Sequence, residues 1–276
     1  MDSVKTAFLK APEFIFLYHG FEEPSSKSDM SEAKQEKQVA PATPLPASTV
    51  VLVRPTHTGG FEIFMNRRPE KIEVYAGVYV FPGGRVEKSD SYPEMLGLTQ
   101  GLTAAEAQQR LGCALEPEVC LGHWVAAVRE LYEEAGVHFF VPQNGACGAA
   151  TEEGLSERLA SQRELLQRGT IDLASLLAAE SLYCDLARLT YFFHRVTPEH
   201  YPVRFDTHFY LAALPPRQTP LQSSEEVSES LWISAADALE RLQSGTFPMM
   251  PPTVAVLRTL AGHASWNVLR EAFRLS

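Results

Sequence analysis

Glu130, Glu133 and Glu134 stand at i, i+3 and i+4. On a helix that spacing stacks three carboxylates along one face. Like charges so placed repel, by roughly 0.2–0.5 kcal/mol per pair, unless a cation lies among them. A hard divalent ion such as Mg²⁺ takes oxygen ligands, binds through a few carboxylates and shares itself with substrate phosphates. The run Arg129-Glu130-Leu131-Tyr132-Glu133-Glu134-Ala135-Gly136-Val137 reads in two ways. It is the solvated end of a helix, or it is half of a site for metal-assisted phosphate chemistry. The elements upstream decide between them.

The helix that must carry these glutamates is predicted from Pro117 through Trp124, Val125, Val128 and Leu131, which recur at helical spacing, with Gly136 placed to end it. Ahead of it, Thr49-Val50-Val51-Leu52-Val53 and Phe61-Glu62-Ile63-Phe64-Met65 flank the turn signal Thr58-Gly59-Gly60 and read as a hairpin. A third strand, Gly77-Val78-Tyr79-Val80-Phe81, is predicted to stop at Pro82-Gly83-Gly84, where the backbone turns and comes close to a ligand. Thr103-Ala104-Ala105-Glu106 has the form of a capping box. Behind the glutamates, residues 139–150 read as a loop, and 152–168 and 172–180 as helices. Strands are expected at 189–193, 207–211 and 231–233, then a helix capped by Ser234 and helices over 253–261 and 265–273. Mixed strands and helices with both turn-linked and helix-linked connections imply an α/β/α layered domain.

Residues 22–47 are rich in Glu, Lys, Ser, Pro and Ala and read as a linker; with the ambiguous first 21 residues they form an extension, 1–47, ahead of a domain spanning 48–276. The chain has 276 residues, 45% of them hydrophobic, and a net charge of −10. That charge argues against a general nucleic-acid or anionic-membrane binder, since phosphate contacts need clustered Lys and Arg. An acidic protein that handles phosphates must recruit metal or use a local basic patch. Cys113, Cys120, Cys147 and Cys184 lack zinc spacing, so buried reduced thiols are expected. No membrane span and no secretory signal are visible. A cytoplasmic enzyme fits these bounds.

Gly84, Asp90 and Arg129–Val137 together resemble the box of the Nudix hydrolases, G-x5-E-x7-R-E-U-x-E-E-x-G-U, where U is aliphatic. Gly84 takes the first glycine and Asp90 the first glutamate slot, with Glu87 as a rival for it. Arg129 to Val137 match the second half at every defined position. Residues 91–128 separate Asp90 from Arg129 where the family usually has seven. Such an insertion is tolerable because closure entropy grows only with the logarithm of length. A split box of this kind resembles the long-insert branch of peroxisomal and bacterial coenzyme A diphosphatases. Gly77-x3-Phe81-Pro82-Gly83-Gly84 with Arg68, the stretch Arg204–Tyr210, and Pro251-Pro252-Thr253 are similar to that branch; Pro69 and Glu73 depart from its coenzyme A motif.

The resemblance implies a Nudix-type α/β/α sandwich with a mixed sheet, an insertion over 91–121 inside the box and a helical insertion over 151–181. It implies Mg²⁺ or Mn²⁺ on Glu130, Glu133 and Glu134, with Arg129, Glu130 and Glu133 in the catalytic group. Arg129 would pair with Asp90 or Glu87. Substrate contacts would come from Arg68, Gly83 and Gly84, with Lys71 beside Arg68. Glu225, Glu226 and Glu229 are candidates for the general base; Trp124 and His208 are packing residues. The implied reaction cleaves coenzyme A or acyl-coenzyme A to 3′,5′-ADP and (acyl-)4′-phosphopantetheine. A diphosphatase for ADP-ribose, NADH or another nucleotide conjugate, and a non-catalytic nucleotide sensor, are the alternatives. The partner is a small nucleotide, not nucleic acid or membrane. The 91–121 insertion would shape either the pocket or a subunit contact, such as a homodimer's.

Overall fold

The computed structural model describes residues 41–71, 75–112, 114–143, 149–223 and 227–275. The extension ahead of residue 41 lies outside these, as do Cys113, Cys147, Glu225 and Glu226. In chain order the strands are β1 (Leu45–Pro55), β2 (Phe61–Arg67), β3 (Tyr79–Val80), β4 (Gly83–Arg85) and β5 (Thr99–Gln100). After them come β6 (Phe140–Pro142), β7 (Leu182–Asp185), β8 (Thr190–Val196), β9 (Phe205–Ala213) and β10 (Glu229–Ile233). The helices are α1 (Pro93–Leu96), α2 (Ala104–Leu111), α3 (Pro117–Ala135), α4 (Ala149–Gln167), α5 (Leu173–Ala179), α6 (Ala235–Gln243), α7 (Pro251–Ala261) and α8 (Trp266–Phe273). Short 3-10 turns cover Lys88–Ser91 and Leu186–Arg188.

The main sheet runs β10-β2-β1-β9-β8, with β3 added to β2 and β4 to β1. Its central pair, β1 and β9, is parallel, and the remaining pairs are antiparallel, so the sheet is mixed. Side chains alternate across a strand, and here the alternation divides one strand between two cores. Val50 and Leu52 of β1 pack with Phe64, Tyr210 and the α3 residues Trp124, Val125, Val128 and Leu131. Val51 and Val53 face the other way, with Ile63, Met65, Phe209 and Leu211, onto Ala238 of α6, Val256, Leu257 and Leu260 of α7 and Leu269 of α8. This is the expected α/β/α sandwich. Trp124 is fully buried and edge-on to Tyr210 at 4.8 Å, so it packs, as its inward helical position implied.

Three expectations change. The first strand starts at Leu45, ahead of the expected domain start. Leu45, Pro46 and Ala47 lie in register with Phe205, Asp206 and Thr207, and the prolines tolerated at the start of a strand had given the segment a linker's composition. Pro82 does not end the ladder; it marks where the chain changes partners. Val80 ahead of it pairs with Asn66 of β2, while Gly83 after it pairs with Thr49 of β1. Residues 139–150 are not all loop either, because Phe140–Pro142 pairs with β7, and β7 with β5, in a separate three-stranded sheet.

The long helix α3 opens with Pro117 in its first turn and closes at Gly136, whose φ of 68° is left-handed. Its inward face is the apolar set read from the sequence. The Thr103 capping box forms, with reciprocal bonds between Thr103 and Glu106. Both described cysteines, Cys120 and Cys184, are buried, and neither is in a disulfide. No helix among the described residues is long and apolar enough to cross a membrane.

Candidate active site

Arg129 sits in the second half of α3 with only 5% of its surface exposed. A guanidinium has five N–H donors, and each of these is used. Nε donates to Asp90 Oδ1 at 2.9 Å and one terminal nitrogen to Asp90 Oδ2 at 3.0 Å. The same nitrogen also donates to the Arg85 carbonyl at 2.8 Å. The other terminal nitrogen reaches Glu130 Oε1 at 2.8 Å and Glu133 Oε2 at 3.2 Å. Of the two partners left open by the sequence, Asp90 is the one chosen. Its Oδ2 also accepts from the Glu87 N–H at 2.8 Å, which fixes the 3-10 turn at the root of the insertion.

Burial works against the Arg129 charge, but the bonds and charge of Asp90, with Glu130 and Glu133, hold the guanidinium above its ordinary range. Burial pushes Glu133 up to about 7, against the pull of Arg129 and with further push from Glu130, Glu87 and Asp90. One cation thus faces three carboxylates, with Glu134 a fourth close by in the chain.

Glu134 turns toward the sheet. Its Oε2 accepts from Asn66 Nδ2 at 3.2 Å and from the Gly83 N–H at 3.3 Å. Asn66 is 1% exposed, and its own oxygen accepts from Ser230 Oγ at 3.0 Å. Gly84 is the floor beneath Glu130: a Cβ there would lie 2.5 Å from the Glu130 carboxylate carbon. Gly83 is equally confined, since its Cβ would meet the Ser48 carbonyl at 2.5 Å. These two glycines, expected to approach substrate, here lie against the carboxylates and the neighbouring strand.

The carboxylates are therefore held from two sides, Glu130 and Glu133 by Arg129 and Glu134 by Asn66 and Gly83. That division keeps like charges apart. Among the described residues, the group of three His, Cys, Asp or Glu ligand atoms that do lie within 4.8 Å of one another is His194, Asp206 and His208. The glutamates still fit a hard divalent ion. Their donors are all oxygen, the local charge is in excess of one guanidinium, and Gly84 leaves space that any side chain would take.

The helical insertion supports the end of α3. Arg163 and Gln167 of α4 each donate to the Glu133 carbonyl at 2.7 Å, and Tyr132 donates to the Leu159 carbonyl. A cation at a helix C-terminus is favourable. A cleft of about 970 Å³ opens beside Arg129, Glu130 and Glu133, walled by Tyr92, Glu94 and Met95 of the box insertion and by residues from Leu166 to Ser175 of the helical one. Both insertions thus shape the cleft.

Other expected residues lie apart. Arg68 is not part of the cleft wall, and its Nε is buried with no hydrogen-bond partner among the described residues. Lys71 is exposed. Glu229 lies on β10 and accepts from Tyr79 Oη at 3.2 Å. His208 is buried, as expected; burial above all, then the His123 and His194 charges, drives it down to about 3. Asn66, Arg163 and Gln167 escaped the sequence reading. Only Asn66 left a trace, as a polar residue within the apolar run of β2.

The sandwich, with a glutamate-bearing helix laid over a glycine strand, defines a Nudix-type protein. The NUDT19 Nudix domain family model matches residues 99–260, and the chain belongs to that family. It is similar to the acyl-coenzyme A diphosphatase NUDT19 of Gallus gallus, 27% identical over 245 residues, covering 76% of this chain and 64% of that protein. It is also similar to the Homo sapiens protein of the same name, 28% identical over 247 residues, covering 79% of this chain and 65% of that one. The chain thus spans less than two thirds of either relative. A solved Nudix hydrolase from Alicyclobacillus acidocaldarius aligns with a TM-score of 0.66 at 28% identity, covering 83% of this chain and 96% of that one.

The glycine floor makes a specific expectation. Gly84→Ala should fold normally, because the obstructing atoms belong to a movable side chain, yet displace Glu130. Mn²⁺ affinity measured by calorimetry is expected to fall at least ~tenfold, as for lost support around a metal. Unchanged affinity would remove the role given to Gly84.

Proposed function

We propose that the chain is a diphosphatase dependent on Mg²⁺ or Mn²⁺ that hydrolyses coenzyme A or acyl-coenzyme A. The products are 3′,5′-ADP and (acyl-)4′-phosphopantetheine. The observation that carries this reading is the Arg129 hub, which fixes Glu130 and Glu133 at the edge of a large cleft while Glu134 is seated on Gly83. The names borne by the relatives support the substrate.

Glu130 and Glu134 would hold the ion, with Glu133 as a third donor or through water. When bound, the ion neutralises the pyrophosphate and activates water for attack. The residues of the chain do the rest. Arg129 keeps the helix carboxylates aligned on the root of the insertion. Glu133, which burial holds above the ordinary carboxylate range, is our candidate for taking the proton from the attacking water. Water adds at one phosphorus and the bridging P–O bond breaks, leaving two phosphate monoesters. Arg68 stays our candidate for a substrate phosphate, since a buried guanidinium nitrogen with no partner among the described residues is what an anion would satisfy.

A panel of coenzyme A, acyl-coenzyme A, ADP-ribose and NADH with Mg²⁺ or Mn²⁺, read by mass spectrometry, tests the reading. Cleavage of coenzyme A at its pyrophosphate is expected, with turnover down at least ~100-fold in Glu134→Gln. Preference for ADP-ribose or NADH would move the assignment to another conjugate, and tight binding of nucleotide with no turnover would make the protein a sensor.

The rate is also expected to depend on pH. A carboxyl with a raised pKa is protonated below it, and a bound cation draws that pKa down, so kcat/KM should rise with pH along an acid limb that ends no higher than about 7. Glu133→Gln should lose that limb together with most of the rate. A wild-type profile with no rising acid limb would contradict the role given to Glu133.

A further inference from the structure

The antiparallel register of β8 and β9 sets His194 opposite His208 and Val196 opposite Asp206. Asp206 and His208 are two residues apart, so all three side chains emerge on one face of the sheet. One ligand atom from each lies within 4.8 Å of the other two. His194 Nε2 is already 2.5 Å from Asp206 Oδ1. His208 is 4% exposed, with its Nδ1 3.3 Å from Tyr191 Oη and the ring of His123 edge-on at 4.7 Å. A cavity of about 450 Å³ opens over the three residues, closed on its far side by Leu111, Gly112 and Leu115 of the box insertion. The proposed hydrolysis uses none of these groups.

We propose that His194, Asp206 and His208 form a second metal site, selective for a first-row transition ion of the zinc type. The donor set argues for this class. Two imidazoles and one carboxylate suit zinc and its neighbours, whereas Mg²⁺ prefers oxygen alone. Three protein ligands leave a fourth direction, here toward the cavity, for water or a small ligand. Tyr191 Oη occupies His208 Nδ1, so Nε2 is the nitrogen presented to the ion. Such an outer partner orients a ligating imidazole. Donors at ~2.1 Å from a tetrahedral ion stand ~3.4 Å apart. His194 and Asp206 can open from 2.5 Å to that spacing and draw in toward His208, because each side chain is 42% exposed. The ion would enter the contact they now make with each other and tie β8 to β9 beside the connection that joins them.

The test is calorimetric titration of zinc into the full-length, tag-free chain held in saturating Mg²⁺, which occupies the glutamates. One equivalent of zinc is expected to bind. Glu134→Gln should retain it, while His194→Ala and Asp206→Asn should each weaken it at least ~tenfold. Both of these positions are half-exposed, so the fold, checked by circular dichroism, should survive. A Co²⁺ titration should give the visible absorption of an imidazole-ligated ion, lost in His194→Ala. No zinc uptake by the wild type, or uptake that follows Glu134 and ignores His194 and Asp206, would overturn the site.

Discussion

The buried pair between Arg129 and Asp90 is the joint on which the site turns. The two residues come from opposite ends of the box insertion, and the pair closes that insertion against α3. Losing one partner of a buried ion pair costs about 3–5 kcal/mol, because the other is left charged without compensation. Here the cost of burying the guanidinium is offset at every donor, by Asp90, the Arg85 carbonyl, Glu130 and Glu133. The same bonds that fasten the insertion therefore aim two of the helix carboxylates. Structural closure and site geometry are one interaction.

The rest of the molecule supplies the second half of the clamp. β4 lies along β1, so Gly83 and Gly84 run beneath the α3 glutamates with no side chain in the way. Asn66 on β2, braced by Ser230 on β10, fixes Glu134 from the sheet side. The helical insertion meets the C-terminal end of α3, at the Glu133 carbonyl, through Arg163 and Gln167. What remains unbalanced is charge: one guanidinium stands among three acidic side chains, and a fourth lies one residue further along the helix. That imbalance is what the proposed divalent cation would offset.

Much of this was legible in the sequence because it is local. The spacing of Glu130, Glu133 and Glu134 needs only a helix, and the apolar residues of α3 announce that helix. The Arg129 partner was narrowed to Asp90 or Glu87 by their place in the box. Features that depend on distant pairing were not legible. Gly83 and Gly84 looked like a turn because their strand partner, β1, lies well upstream. The sheet of β5, β7 and β6 escaped notice because strands of two to four residues carry no measurable period. His194, Asp206 and His208 meet only once the β8–β9 register is known, and His208 alone reads as a core residue. Arg163 and Gln167 act through a backbone carbonyl, which leaves no mark in the pattern of side chains.

Direct observation of the ion decides whether the crowded glutamates have the purpose given to them. Electron paramagnetic resonance of free Mn²⁺, titrated with the full chain, counts the ions bound without relying on turnover. The clamp requires the free signal to fall as wild-type protein is added, and to fall far less with the double variant Glu130→Gln, Glu134→Gln. A wild-type chain that leaves the Mn²⁺ signal unchanged, or a double variant that binds as the wild type does, would contradict it.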